Sequence, residues 1–341
     1  MRLNRKLYII AAISAGMLAL IFDSRTALRG AADGIDLCIR TVIPSLFPFF
    51  LLSTLLTYTV SGIKIPLFKP LSKLCGIPNG AESILLIGLL GGYPIGAQCI
   101  CNAYSAGHLR KRDAQRMLGF CNNAGPAFLF GMAGQFFNSK TAVASLWLIH
   151  ITSAVMTAMV LPRKHGDNSA AIIPGLTGTG HVMQQSIRAM ANVCGWVVIF
   201  RVVLCLLKRW FLWLLLPEEQ ILLIGILELS NGCMELSVLK SEAARYLCAA
   251  VLLAMGGVCI LMQTLSVVNQ SGLGLGMYVP GKIIQTGVTC ILAIPAANIL
   301  YPSEKTIPYI AILLSVLTIG IVLLFLRNKE NNSSIPAFTG V

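Results

Sequence analysis

Charge is what this chain has least of. Asp, Glu, Lys and Arg together make up 11% of its 341 residues, against about 25% in a soluble globular domain. The acids are the scarcer half, 13 against 26 Lys and Arg. With 56% hydrophobic residues and a mean hydropathy of +0.79, that shortage excludes an ordinary water-soluble core. It fits a chain whose solvent is mostly lipid. No polar stretch is long enough to build a separate soluble domain.

The motifs of covalent and metal chemistry are missing too. There is no GxxxxGK[ST] loop, which excludes a P-loop ATPase. There is no GxSxG elbow and no HExxH. His108, His150, His165 and His181 stand apart, without a partner pattern. The eleven cysteines include no CxxC pair and no Cys/His spacing of a zinc site. Most lie in apolar runs, where cysteine packs as a small hydrophobe. Cys99 and Cys101 are one residue apart, and read as helix-packing residues before a soft-metal site. The expectation is no enzyme, no cofactor and no metal.

The net charge of +13 raises nucleic acid as a partner. The cations, however, form short clusters between apolar runs instead of one polar face. Short basic loops are what the positive-inside rule produces. The expected partner is the lipid bilayer, with no nucleic acid.

What the chain has in abundance is apolar runs. A helix crossing a bilayer needs about 20 mostly apolar residues. Runs of that kind fall near 7–22, 37–60, 84–104, 117–137, 141–161, 187–207, 220–238, 246–268, 283–300 and 308–326. The first follows Arg2, Arg5 and Lys6 and is expected to be a retained helix, not a cleaved signal. Segment 162–186 is expected as a cytoplasmic linker, since 162–180 is rich in Gly, Pro and polar residues. Residues 328–341 are expected to be a disordered tail.

Two runs are interrupted. Gly91-Gly92-Tyr93-Pro94-Ile95-Gly96 breaks 84–104, and Ser230-Asn231-Gly232 breaks 220–238. Exposed backbone in lipid is tolerated only where it is buried in protein or lines a wet cavity. Charge placement decides how the first break is used. With the N-terminus in the cytoplasm, a full crossing by 84–104 puts Arg110, Lys111, Arg112 and Arg116 outside. A re-entrant hairpin keeps them inside with Lys64, Lys69 and Lys73, as the rule requires. The same plan in the second half leaves Lys208 and Arg209 on the wrong side. Two units follow, at 37–161 and 187–300, each of helix, broken hairpin, broken helix and helix. A terminal helix and loop (1–36) precede them, and a last helix (301–327) follows. The first unit enters from outside and the second from inside, the inverted repeat of many secondary transporters.

Four segments carry polar groups at depth. In Gly88–Gln98, Gly92 and Pro94 unwind the chain beside Tyr93 and Gln98, and Pro94 frees the carbonyl four residues back. The rival reading is a kinked helix packed through small residues. In Gly119–Gly131, Asn122 and Asn123 need partners, and Pro126 frees the carbonyl of Asn122. Interhelical hydrogen bonding and ligand contact fit them equally. In Gly225–Glu235, Glu228 stands among leucines with Ser230 and Asn231 behind it. An ionisable residue in a membrane segment is a functional hypothesis by default. The bland alternative is a solvated interfacial acid. In Leu253–Thr264, Gly256-Gly257 is a second break and Gln263 a buried amide; close helix packing accounts for it as well.

Taken in order, GLLGGYPIGAQ, FCNNAGPAFLFG, ILELSNG and GGVCILMQ resemble the YlbJ family of sporulation integral membrane proteins, part of the nucleoside-recognition, or Gate, domain group. The resemblance runs over roughly 35–300. Gly91 and Ala124 stand where the family form has serine. The resemblance implies an all-α polytopic membrane protein of two inverted Gate-like repeats with broken helices and re-entrant hairpins. It implies a permease-like carrier of a small polar solute, nucleoside-like or otherwise, in the plasma membrane or the forespore or mother-cell membrane. On that reading Gly92, Tyr93, Pro94, Gln98, Asn122, Asn123, Glu228, Ser230, Asn231 and Gln263 contact the solute, and Glu228 couples a proton or cation. The rival is a structural or assembly protein that moves nothing. Oligomeric state is left open, a homo-oligomer included.

Overall fold

The computed structural model describes residues 2–60, 68–131, 133–163, 179–215 and 217–304. The helix expected at 308–326 and the tail at 328–341 lie outside the described residues. Among those described, every regular element is helical. Five stretches are long and apolar enough to cross a membrane: Ser24–Leu52, Lys140–Val160, Val182–Trp210, Glu242–Gln270 and Tyr278–Leu300. The chain is an all-α, multi-pass membrane protein.

Helix α1 (Arg2–Phe22) is followed after Asp23 by α2 (Ser24–Leu37). The Asp23 carboxylate caps α2, accepting from the Thr26 N–H at 3.4 Å. One π-turn, Cys38–Val42, leads on into α3 (Ile43–Val60). Residues 24–36 are therefore helix and not the loop expected. Arg25, Arg29, Asp33 and Asp36 hid an amphipathic pattern. They lie exposed, while Ala27, Gly30, Gly34 and Leu37 are buried at helical spacing. That small-residue stripe packs on α10 (Thr179–Trp210). A Cβ on Gly30 or Gly34 would sit 2.9 Å from the Cα of Val202 or Val198, so the backbones touch as in small-xxx-small membrane pairs. The pairing is antiparallel: Gly30 meets Val202, Cys38 meets Cys194, and Thr54 meets Ser186. Because α10 starts at Thr179, residues 179–186 of the expected linker are helical as well.

Two hairpins follow the long helices. Helices α5 (Glu82–Leu90) and α6 (Ile95–Ser105), after the short α4 (Lys69–Cys75), fold back on each other. At 1.5 Å per residue each is on the order of half a bilayer core in length. Pro94, after a cis Tyr93–Pro94 bond, occupies the N-cap of α6. It starts a helix instead of interrupting one, so the carbonyl expected to open four residues back belongs to a helix that has already ended.

The next run breaks in the middle. Helix α7 (Lys111–Met117) gives way to irregular backbone until α8 (Pro126–Gly131). Pro126 opens α8, the favoured first-turn place for a residue without an N–H. The Asn122 carbonyl is therefore not freed by Pro126, contrary to expectation; no helix holds it. Arg116 of α7 is buried and donates to the carbonyls of Cys75 (2.9 Å), Gly76 (3.2 Å) and Ala158 (2.5 Å). It thereby closes the C-terminal ends of α4 and α9 (Lys140–Val160), the end where a cation is favoured.

The second half also holds a short hairpin and an interrupted helix. After α10 comes the hairpin α11 (Pro217–Leu227) and α12 (Leu229–Glu235), joined by Glu228 alone; Ser230-Asn231-Gly232, expected to break this run, are helical because the Glu228 carboxylate caps their first turn. Its arms touch at glycines: a Cβ on Gly232 would lie 2.2 Å from the Gly225 Cα. Helix α13 (Glu242–Met255) ends at Gly256, whose φ is +78°, and α14 (Gly257–Gln270) starts at once. Helix α15 (Tyr278–Leu300) packs against both α9 and α13. Lys208 and Arg209, which charge placement left on the wrong side, are paired. Lys208 meets Glu235, and Arg209 meets Asp23 at 2.8 Å.

Candidate functional site

Glu228 sits at the tip of the second hairpin with extended backbone (φ −145°, ψ 116°). Its carboxylate caps α12, accepting from the N–H of Ser230 at 3.0 Å and of Asn231 at 2.7 Å. The Asn231 side-chain amide donates to it as well, at 2.7 Å. The residue is 2% exposed. Three donors and the positive end of a helix turn hold the carboxylate in place without a cation beside it. Asn231 passes the contact on: its Oδ1 accepts from Arg201 of α10. Arg201 lies 3.6 Å from Asp33 of α2, which is exposed. A polar chain therefore runs from the buried acid to the surface.

The other hairpin tip lies across from it. Gly92, Tyr93, Gly125, Glu228, Ser230 and Gln263 line one cavity of about 40 Å³, whose remaining wall is apolar and includes side chains of α3, α8 and α10. That volume suits water more than a solute, since one water needs at least about 10–15 Å³. Pro94 and Gln98 do not face this space. They line a second cavity of about 20 Å³ with Asn102, Gln185 and Thr54.

Asn122 and Asn123 line neither cavity. Asn122 donates to Thr264 Oγ1 at 3.0 Å and accepts from the Ala97 N–H at 3.4 Å. Asn123 donates to the carbonyls of Phe120 (2.7 Å) and Gly88 (3.3 Å). They fasten the unwound stretch to the first hairpin and to α14, the interhelical role that amides play in membranes. His150 of α9 completes the fastening: its Nε2 accepts from the Ala124 N–H at 3.1 Å.

Lys282 was not singled out from the sequence, because it looked like the flank of a span starting at 283. It is 5% exposed. Its ammonium donates to Gln285 Oε1 at 2.8 Å and Asn123 Oδ1 at 3.3 Å, and lies 5.2 Å from the centre of the Tyr93 ring. Among the described residues no carboxylate is within ion-pair distance of it. A signal was there to read: Lys282, Gln285, Thr286 and Thr289 recur at i, i+3, i+4 and i+7 in an apolar run, and all are buried. No sequence signal links His150 to Ala124.

The tips therefore bring together Gly92, Tyr93, Glu228, Ser230 and Gln263, with Asn231 directly behind. The arrangement offers one buried carboxyl group, hydroxyl and amide groups, and the Lys282 amine against the Tyr93 ring.

Comparison with known proteins gives one modest similarity. The chain is 27% identical over 127 residues to the sporulation integral membrane protein YlbJ of Bacillus subtilis (strain 168), a YlbJ-type relationship. The match takes in 36% of this chain and spans 30% of that protein's length. No family model matches the chain, and no solved structure matches it.

Proposed function

We propose that the chain is a secondary carrier of a small polar solute, not an enzyme, built from two units of opposite orientation in the membrane. One observation carries this reading: both hairpin tips reach a single cavity holding a buried carboxylate. Glu228 caps α12, but a neutral capping side chain would serve that helix end without placing an ionisable group at depth, which is costly and marks a functional site by default. Unwound backbone lining an internal space is the way broken helices are accommodated in transporters. Lys282 adds a positive centre one ring away, which suits a solute with an acidic or strongly accepting group. Glu228 would couple a proton or cation to movement. The relative's name supports placing the process in sporulation, at a cell membrane of a spore-forming organism.

The test is uptake in proteoliposomes, screened over nucleosides and small acids under proton and sodium gradients. Gradient-driven uptake is expected, and Glu228→Gln should abolish its dependence on the gradient. Uptake that keeps its gradient dependence in that variant removes the coupling role.

A second reading draws on the cavity's small volume and on how fully Glu228, Asn122 and Asn123 are bonded within the protein. On it the chain is a structural or assembly protein of sporulation membranes. Absence of uptake across the screen, with a protein still needed for spore formation, would favour it.

A further inference from the structure

These two cavities follow one another along the α3–α10 pair and share one lining side chain. The central cavity meets the π-turn at Val42, α3 at Leu46, Phe49 and Phe50, and α10 at Val193 and Val197. The second meets α3 at Phe50 and Thr54, and α10 at Gln185 and Ala189. Phe50 lines both, and is 1% exposed.

Polar groups line the space on both sides of that ring, and on the inner side they are Tyr93, Glu228, Ser230 and Gln263. Beyond Phe50 the space is bordered by a hydroxyl and three amides: Thr54, Gln98, Asn102 and Gln185. On α6, Gln98, Asn102 and Ser105 recur at i, i+4 and i+7, one face of the helix. Exposure rises along this row, from half-buried Gln98 and Asn102 to exposed Ser105. Five residues past Ser105 the chain reaches Arg110, Lys111 and Arg112. A polar row on a membrane helix is costly against lipid, and here it climbs from the first hairpin tip to the basic face.

We infer that this row is an access half-channel leading from the basic face to the Glu228 cavity, and that Phe50 is its gate. The backbone beneath the ring is suited to bending. Pro48 lies inside α3 two residues before Phe50, where it removes a helical hydrogen bond. The π-turn Cys38–Val42 lies about two to three turns earlier, a feature that kinks helices and is frequent at functional sites. A rotation of that one aromatic side chain joins the two spaces.

The purpose of the route rests on the carrier reading, but its existence is measurable without any solute. Asn102→Cys and Ser230→Cys are introduced separately and exposed, in right-side-out and inside-out vesicles, to a charged methanethiosulfonate reagent. Peptide mapping by mass spectrometry separates each new thiol from the native cysteines. Asn102→Cys should react from the basic face alone, and Ser230→Cys only slowly. Adding Phe50→Ala should speed reaction at position 230 about tenfold from that face, whereas Phe49→Ala should not. Phe50→Leu serves if the alanine variant fails to fold, with a smaller increase. An unreactive position 102, or a rate at 230 indifferent to residue 50, overturns the inference. Gated labelling together with absent uptake would overturn the carrier and leave the route standing.

Discussion

The Tyr93 hydroxyl donates to the carbonyl of Leu253 at 2.9 Å, tying the tip of the first hairpin to the last turn of α13. That carbonyl is among those a helix end leaves without an internal partner, and the end exists because Gly256 turns the chain at φ +78°. One hydrogen bond therefore joins a break in each half. Tyr93→Phe keeps the ring against Lys282 but orphans the carbonyl in a low-dielectric interior. The expected loss is about 1–3 kcal/mol, read as a lower unfolding midpoint in detergent. An unchanged midpoint would mean the carbonyl has another partner.

The hairpin arms depend on missing side chains. A Cβ on Gly232 would meet the Gly225 Cα at 2.2 Å, and one on Gly96 would meet the Cys121 carbonyl oxygen at 1.8 Å. Both obstacles are backbone, so neither can swing aside. Gly232→Ala and Gly96→Ala should each lose the monodisperse peak in size-exclusion chromatography. Gly195→Ala on α10 meets nothing within 4 Å and should elute as the parent does, with stability equal or higher by up to roughly 1 kcal/mol.

Lys282 separates a carrier from a scaffold. Its ammonium is buried on neutral oxygens and a ring, so the fold gains little from the charge. Lys282→Met should match or exceed the parent in thermal stability. If the protein carries a solute with an acidic group, the same variant should lose uptake by a factor of ten or more. A variant that unfolds instead would show that the ammonium is structural.

Glu228 is also a helix cap, which sets a control for its role in coupling. Glu228→Gln retains an acceptor oxygen for α12, while Glu228→Ala retains none. The alanine variant should be less stable than the glutamine variant by about 0.5–2 kcal/mol, measured in the same detergent. Equal stabilities would mean that the cap contributes nothing, and the acid's presence would then need another cause.

At the surface, Glu304 accepts from the Glu242 and Ala243 N–H groups, both at 3.1 Å, and from the Ser241 hydroxyl. Burial pushes its carboxyl up, but the hydrogen bonds from Ser241, Ala243 and Glu242 outweigh this and hold it below its ordinary value of 4.5. A depressed acid stabilises the fold above its unfolded value, and the contribution fades as pH falls through the folded one. The stability difference between the parent and Glu304→Gln should be steady near neutral pH and shrink below about pH 4.5. A difference that grows on acidification would reverse the assignment.

The first hairpin was legible because Gly91-Gly92-Tyr93-Pro94 marks its reversal; the second turns at Glu228, and Ser230-Asn231-Gly232, expected to break it, lie inside α12. Glu228 was legible as an acid among leucines. Pro94 and Pro126 misled in one respect: a proline reads alike whether it interrupts a helix or opens one, and only the backbone on its N-terminal side tells the two apart. Helix α2 was missed because its charges lie on the outer face of a stripe made of alanine and glycine, which hydropathy underweights.

The amino-acid sequence alone determined the class of the molecule and the approximate places of most of its apolar helices. Those follow from transfer of apolar groups to lipid and from backbone rules, which act locally along the chain. Only the tertiary structure decided which polar groups meet. Asn122 and Asn123 turned inward to fasten helices, Gln98 fell beyond the Phe50 ring, and Lys282 arrived from 159 residues away to rest on Asn123. Such pairings depend on how helices distant in sequence rotate and pack, and no local pattern records that.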